Sequence, residues 1–158
     1  MNGPVIVDSN LLLLLIAGIA NRDYIAKHKK LADDYSEYDF DLLTLLIAEF
    51  SDILLVPHVL AEVSSLARQI KNPARREIQT KLRELIETTT EVHIESLYGA
   101  LREEFDALGL TDSVLLHFCT LKFAGVDCTL LTADEDLAFT ASSLGYGVIY
   151  YDEFISQP

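Results

Sequence analysis

Tryptophan is absent, methionine occurs once and cysteine only twice in the 158 residues. Cys119 and Cys128 lie inside apolar stretches without the spacing of metal ligands, so a disulfide framework and a thiolate metal site are both disfavoured. Both read as reduced core residues of an intracellular protein. Histidine is scattered: His28 sits in a lysine-rich stretch, His58 and His117 in helical patterns and His93 in a strand pattern, which argues against zinc. No glycine-rich phosphate loop and no Gly-x-Ser-x-Gly turn occurs, which removes the nucleotide-loop and serine-hydrolase classes. Long hydrophobic runs are missing too. Residues 11–20 are apolar and end in small residues, but they are too few to span a bilayer. No Lys or Arg precedes them, and Asp8 interrupts the approach, so a signal peptide fits poorly. The expectation is a cytoplasmic protein with no membrane segment.

Positive charge is the other scarcity. Twelve basic residues stand against 25 acidic ones, for a formal net charge of -13, which opposes any function in which the whole surface binds nucleic acid. Six of the twelve, Arg68, Lys71, Arg75, Arg76, Lys81 and Arg83, fall between 68 and 83, where Glu77 is the only acid, so a local basic face survives. Half of the chain is apolar and 23% is charged, a globular composition. Its length suits one domain with a real core, spanning 1–158.

Along the chain, strands and helices alternate. Residues 4–7 form a short Val/Ile-rich run that reads as a buried strand, followed by an apolar helix over 10–19. Residues 21–40 are polar and read as a helix plus an exposed connection. Helical patterning resumes over 41–50. A second strand is expected over 53–56, with Pro57 opening a helix over 58–70. Asn72-Pro73 then breaks the chain before another helix to 88, making a helical hairpin. A strand over 91–94, a helix over 97–108 stopped by Gly109, and a helix over 112–123 capped by Thr111 and ended near Gly125 follow. The last expected elements are a strand over 128–131, a helix from 134 to 144 and a strand over 148–151. The order is that of an α/β fold with a mostly parallel sheet.

Four acids, Asp8, Glu62, Asp112 and Asp134, each fall where a strand ends or a helix begins. A parallel sheet gathers the carboxyl ends of its strands along one edge, so acids distant in sequence converge in one crevice. Converging carboxylates call for a hard cation, and magnesium or manganese takes oxygen donors of this kind together with waters. Taken singly, Asp112 and Asp134 are also explained as first-turn acids favoured by the helix dipole, and Glu62 as a solvated helical residue. Asp8 is harder to explain that way. Asn10 and Thr132 could orient ligands in support or simply cap helices, and Asp136 is either a fifth metal-binding acid or an exposed first-turn carboxylate.

The segments Val5-Ile6-Val7-Asp8-Ser9-Asn10, Val56-Pro57-His58-Val59-Leu60-Ala61-Glu62, Leu110-Thr111-Asp112-Ser113 and Leu130-Leu131-Thr132-Ala133-Asp134 together resemble the PIN domain family over nearly the whole chain. That resemblance implies a three-layer α/β/α sandwich and a metal-dependent nuclease acting on RNA, as in the toxin half of many prokaryotic toxin–antitoxin pairs. It implies that Asp8, Glu62, Asp112 and Asp134 bind one or two magnesium or manganese ions, with Asn10, Thr132 and Asp136 in support. Arg68, Lys71, Arg75 and Arg76 would be the natural phosphate contacts, although a solvated helical face accounts for most of them equally well. An antitoxin or other protein partner is implied in the same way.

Two other classes compete. A catalytically inactive protein-binding module would keep the fold and use its acidic surface or apolar helices, against which the presence of all four acids speaks. A phosphatase or phospho-acceptor regulator also places acids at strand ends. Here no lysine follows residue 122 and Asn10, not Asp, lies two beyond Asp8, which argues against both. The apolar pattern over 42–50 offers a homodimer interface, although a buried core helix explains such a pattern more often.

Overall fold

Residues 3–157 are described by a computed structural model of the chain. β1 (Val5–Val7) is buried along its whole length, as a Val-Ile-Val run in the middle of a parallel sheet should be. It feeds α1 (Ser9–Ala20), in which Leu11 through Gly18 are all buried. A helix apolar on every side belongs inside the protein, and α1 packs against α2 (Tyr24–Lys27), α3 (Glu37–Ile47), α4 (Pro57–Ala67) and α5 (Ala74–Thr88). Each of its leucines, fully withdrawn from water, contributes about 1.5–3 kcal/mol.

β2 (Ile53–Leu55) precedes α4, which Pro57 opens as the sequence suggests. α5 buries Ala74, Ile78 and Leu82, a four-residue spacing that turns one face to the core and leaves Arg75, Arg76 and Arg83 exposed. β3 (Thr90–Glu91), α6 (Ser96–Ala100), α7 (Phe105–Leu108) and α8 (Leu110–Phe118) follow. The chain ends with β4 (Lys122–Phe123), β5 (Val126–Asp127), β6 (Thr129–Thr132), α9 (Glu135–Ser143), β7 (Val148–Tyr150) and α10 (Tyr151–Ile155). Five strands form one sheet in the order β3-β2-β1-β6-β7, every neighbouring pair parallel. The fold is therefore α/β around a central parallel sheet, and none of its described helices is long and apolar enough to cross a membrane.

Several expected boundaries differ. α3 starts at Glu37, not 41, because Ser36 and Asp39 form a reciprocal capping box inside the polar segment. It also stops at Ile47, three residues short of the expected end. The expected helix over 97–108 is two short helices, and the next helix is capped by Gly109 at φ +87°, where Thr111 was expected. Gly125 ends no helix. With Ala124 at φ +53° and Gly125 at φ +79°, it makes a two-residue turn joining the antiparallel β4 and β5, a backbone that suits the twist of a hairpin. α10 was not anticipated.

Gly18 allows α1 to meet α3 closely: a β-carbon there would lie 2.2 Å from Phe40 Cδ2. Gly18→Ala is expected to destabilise the protein by about 1–3 kcal/mol through this overpacking. Phe40→Leu in the same chain should recover part of that loss. Thermal denaturation of the two variants decides, and an unchanged midpoint for Gly18→Ala would show that the helices separate without cost.

Candidate active site

The sheet changes its direction of growth at the β1/β6 boundary. From β1 the chain builds outward through β2 and β3, and on the other side from β6 to β7. Such a switch point leaves a crevice beyond the carboxyl ends of the two central strands. Asp8 follows β1 there, and Asp134 follows β6 by two residues. Glu62 is carried by α4 after β2, and Asp112 by the first turn of α8. All four line one cavity of about 410 Å³, together with Ser9, Asn10, Lys30 and the Leu108–Thr111 stretch. Asp8 and Asp112 are half-buried in it; Glu62 and Asp134 are exposed.

Hydrogen bonds hold two of the acids in place. Thr132 Oγ1 donates to Asp8 Oδ2 at 2.8 Å, and the Ser9 amide donates to Asp8 Oδ1 at 2.7 Å. Asp8 thereby caps α1 while its neighbour on β6 orients it. Thr132 Oγ1 also accepts from the Asp134 amide at 3.0 Å, and Asp134 Oδ1 accepts from the Leu137 amide at 2.9 Å, capping α9. Thr132 is fully buried, so its hydroxyl links the two acids away from solvent. Capping and positioning coincide in these residues. Ser9 reaches Glu62 Oε2 at 3.4 Å, a link that the sequence signals only through its place after Asp8.

Electrostatics make the crevice unfavourable for four ionised acids. Burial pushes the Asp112 carboxyl up to about 7, and the charges of Asp8, Asp134 and Glu62 add to the effect. Burial also raises Asp8, opposed by the hydrogen bonds from Thr132 and Ser9, with Glu62 and Asp134 pushing further upward. Among the described residues Lys30 is the one basic side chain lining the cavity.

Of the other expected residues, Thr132 and Asn10 belong to the crevice, and Asp136 and the four basic residues do not. Asp136 lines a separate cavity with Glu135, Phe139 and Tyr150, not the four-acid crevice. Asn10 is exposed at the rim. Arg68, Lys71, Arg75 and Arg76 are exposed but do not line the crevice, and Arg75 Nε donates to the Ile70 carbonyl at 3.0 Å. Lys30 went unrecognised in sequence because the polar stretch carrying it reads as a solvated connection.

Among the described residues no three His, Cys, Asp or Glu side chains are grouped closely enough to hold a metal ion by themselves. The donor set nonetheless fits one kind of ion. It is all oxygen, open to water and short of positive charge, which suits magnesium or manganese held by one or two carboxylates plus waters, not a closed protein cage.

The raised Asp112 has a consequence for stability. The folded protein holds this proton up to about pH 7, whereas the unfolded chain releases it near 3.8. The associated stability is thus fully present below about pH 4 and lost as pH rises toward 7. In chelator, Asp112→Asn should lift the melting midpoint at pH 8 by about 2–4 °C, on the order of 1 kcal/mol, with a smaller gain at pH 5. Equal midpoint differences at the two pH values would contradict the charge-repulsion account.

No protein-family model matches the chain, and no curated protein matches it in sequence.

Proposed function

We propose that the protein is a PIN-type, metal-dependent endoribonuclease that hydrolyses RNA phosphodiester bonds in the crevice at the β1/β6 switch point. The observation that carries this reading is the meeting of Asp8, Glu62, Asp112 and Asp134 in one cavity at the carboxyl edge of a parallel sheet. Sheet order adds support. With right-handed crossovers, opposite growth on the two sides of β1/β6 puts the intervening helices on opposite faces, the three-layer arrangement of PIN domains.

A magnesium or manganese ion held by these carboxylates would supply an activated water and charge neutralisation at the phosphate. The chain's own part is positioning. Thr132 and the Ser9 amide fix both oxygens of Asp8, the Leu137 amide fixes Asp134, and Ser9 draws Glu62 toward them. Asp112, whose carboxyl sits near 7, can hold or release a proton at its oxygens close to neutral pH. By the same resemblance we attach the toxin role of a toxin–antitoxin pair.

A second reading, an inactive PIN-fold module that binds a protein, draws on the exposed apolar side chains Leu97, Leu101 and Phe105 on the stretch leading into the crevice wall. The two separate on activity. Purified protein incubated with a mixed RNA pool should cut it with magnesium or manganese and not with chelator. Asp8→Asn and Asp112→Asn should each reduce the rate at least about a hundredfold while leaving the circular dichroism spectrum intact. Cleavage that persists in both variants would sink the site assignment, and a wild-type protein inert with either metal would favour the binding module.

A further inference from the structure

A second cavity of about 590 Å³ opens beside the end of α4, lined by Lys27, Lys29 and Lys71 with Ile70 and Pro73 between them. It adjoins the four-acid crevice: Lys29 lines the groove, the next residue Lys30 lines the crevice, and Leu66 to Ile70 of the α4 end runs between the two. The lysine stretch is held in place. His28 is fully buried, its Nδ1 accepts from the Lys30 amide at 3.1 Å, and its Nε2 therefore carries the hydrogen donated to the Leu66 carbonyl at 2.8 Å. Tyr24, one turn earlier, donates its hydroxyl to Glu77 of α5. These contacts pin the short α2 and the turn after it against the α4–α5 hairpin. Lys27, Lys29, Lys30 and Lys71 are all exposed, and none is engaged in an ion pair among the described residues.

Four unpaired lysines on one continuous path are conspicuous in a chain with a net charge of -13. Phosphates are the chemistry that such a path attracts, and a crevice rich in carboxylates repels them unless cations stand next to it. We propose that this groove is the track for single-stranded RNA entering the crevice: Lys27, Lys29 and Lys71 bind successive backbone phosphates, and Lys30 meets the phosphate at the crevice mouth. The proposal rests on the nuclease reading for the direction of the strand, but the groove's affinity is independent of cleavage. Ile70 and Pro73 favour a single strand, because they offer apolar surface to bases that a duplex keeps stacked inside.

The test uses the full chain carrying Asp8→Asn, so that bound RNA is not cut, and a fluorescein-labelled oligouridylate of about 20 nucleotides. Lys27→Ala, Lys29→Ala and Lys71→Ala are combined, and the control combines Lys81→Ala, Arg83→Ala and Lys122→Ala, which removes the same charge from outside the groove. The groove triple should weaken binding about tenfold or more relative to the control and reduce the slope of log affinity against log salt by about 2, near 0.7 per lost phosphate contact. In the cleaving protein it should raise KM with little change in kcat. A duplex of the same length should bind both triples alike. Equal oligouridylate affinity and salt slope for the two triples, or no binding by the lysine-intact protein, overturns the track. Lysine-dependent binding by a wild-type protein that cuts nothing would keep the track and remove the nuclease reading; cleavage indifferent to the lysines would do the reverse.

Discussion

The pairing of β1 with β6 is the constraint on which the rest depends. Val5, Ile6 and Val7 stand opposite Thr129, Leu130 and Leu131, and the Asp8 amide continues the ladder by donating to the Leu131 carbonyl at 2.9 Å. That register sets Asp8 beside Thr132 and lets one hydroxyl serve both Asp8 and Asp134. A slip of one residue would turn every side chain of β1 to the other face and carry Asp8 out of reach. Because β1 and β6 are buried on both faces, the polar ends of the strands hold the register: a shift would draw Asp8 into the sheet or part it from Thr132.

Rigidity reaches the crevice through α1. Its leucines are covered on all sides, so the helix has no freedom to rotate or translate without opening a cavity, and its cap residue inherits that fixed position. An acid placed by a core helix differs from one placed by a loop: its orientation needs no reorganisation when a ligand arrives. Glu62 and Asp134 are more exposed, and on the proposed reading their contact with solvent would leave a metal ion room for waters.

Much of this was legible in sequence where composition and period agree. The Val-Ile-Val run, Pro57 at a helix start, the 74–88 helix and the acids at strand ends all follow from local rules, and the sheet is more uniform than expected, with every pair in it parallel. Local rules failed where two structures share the same signal. Gly125 marks a hairpin as readily as a helix end, and only the positive φ of Ala124 beside it settles which. The Ser36–Asp39 capping box lay inside a run of charges that masked its spacing. The lysines of the 27–30 stretch face solvent as their pattern suggests, but the burial of His28 among them leaves no local signal, because its partner lies 38 residues away at Leu66. Contacts of that range leave no trace in local periodicity.

An acidic protein is an awkward partner for RNA only if charge acts over its whole surface. At physiological ionic strength the screening length is about 8 Å, so acids on the far helices are largely invisible to a phosphate at the groove. What matters is the charge within that radius: Lys30 lines the crevice beside its acids, and Lys27, Lys29 and Lys71 line the neighbouring groove. On the proposed RNA track the distant acids would act in another way, weakening long-range attraction and with it non-specific binding to duplex nucleic acid. On that proposal, local cations beside a carboxylate crevice, on an otherwise repulsive surface, would select for a strand that can bend into the groove and bring one phosphate to the acids.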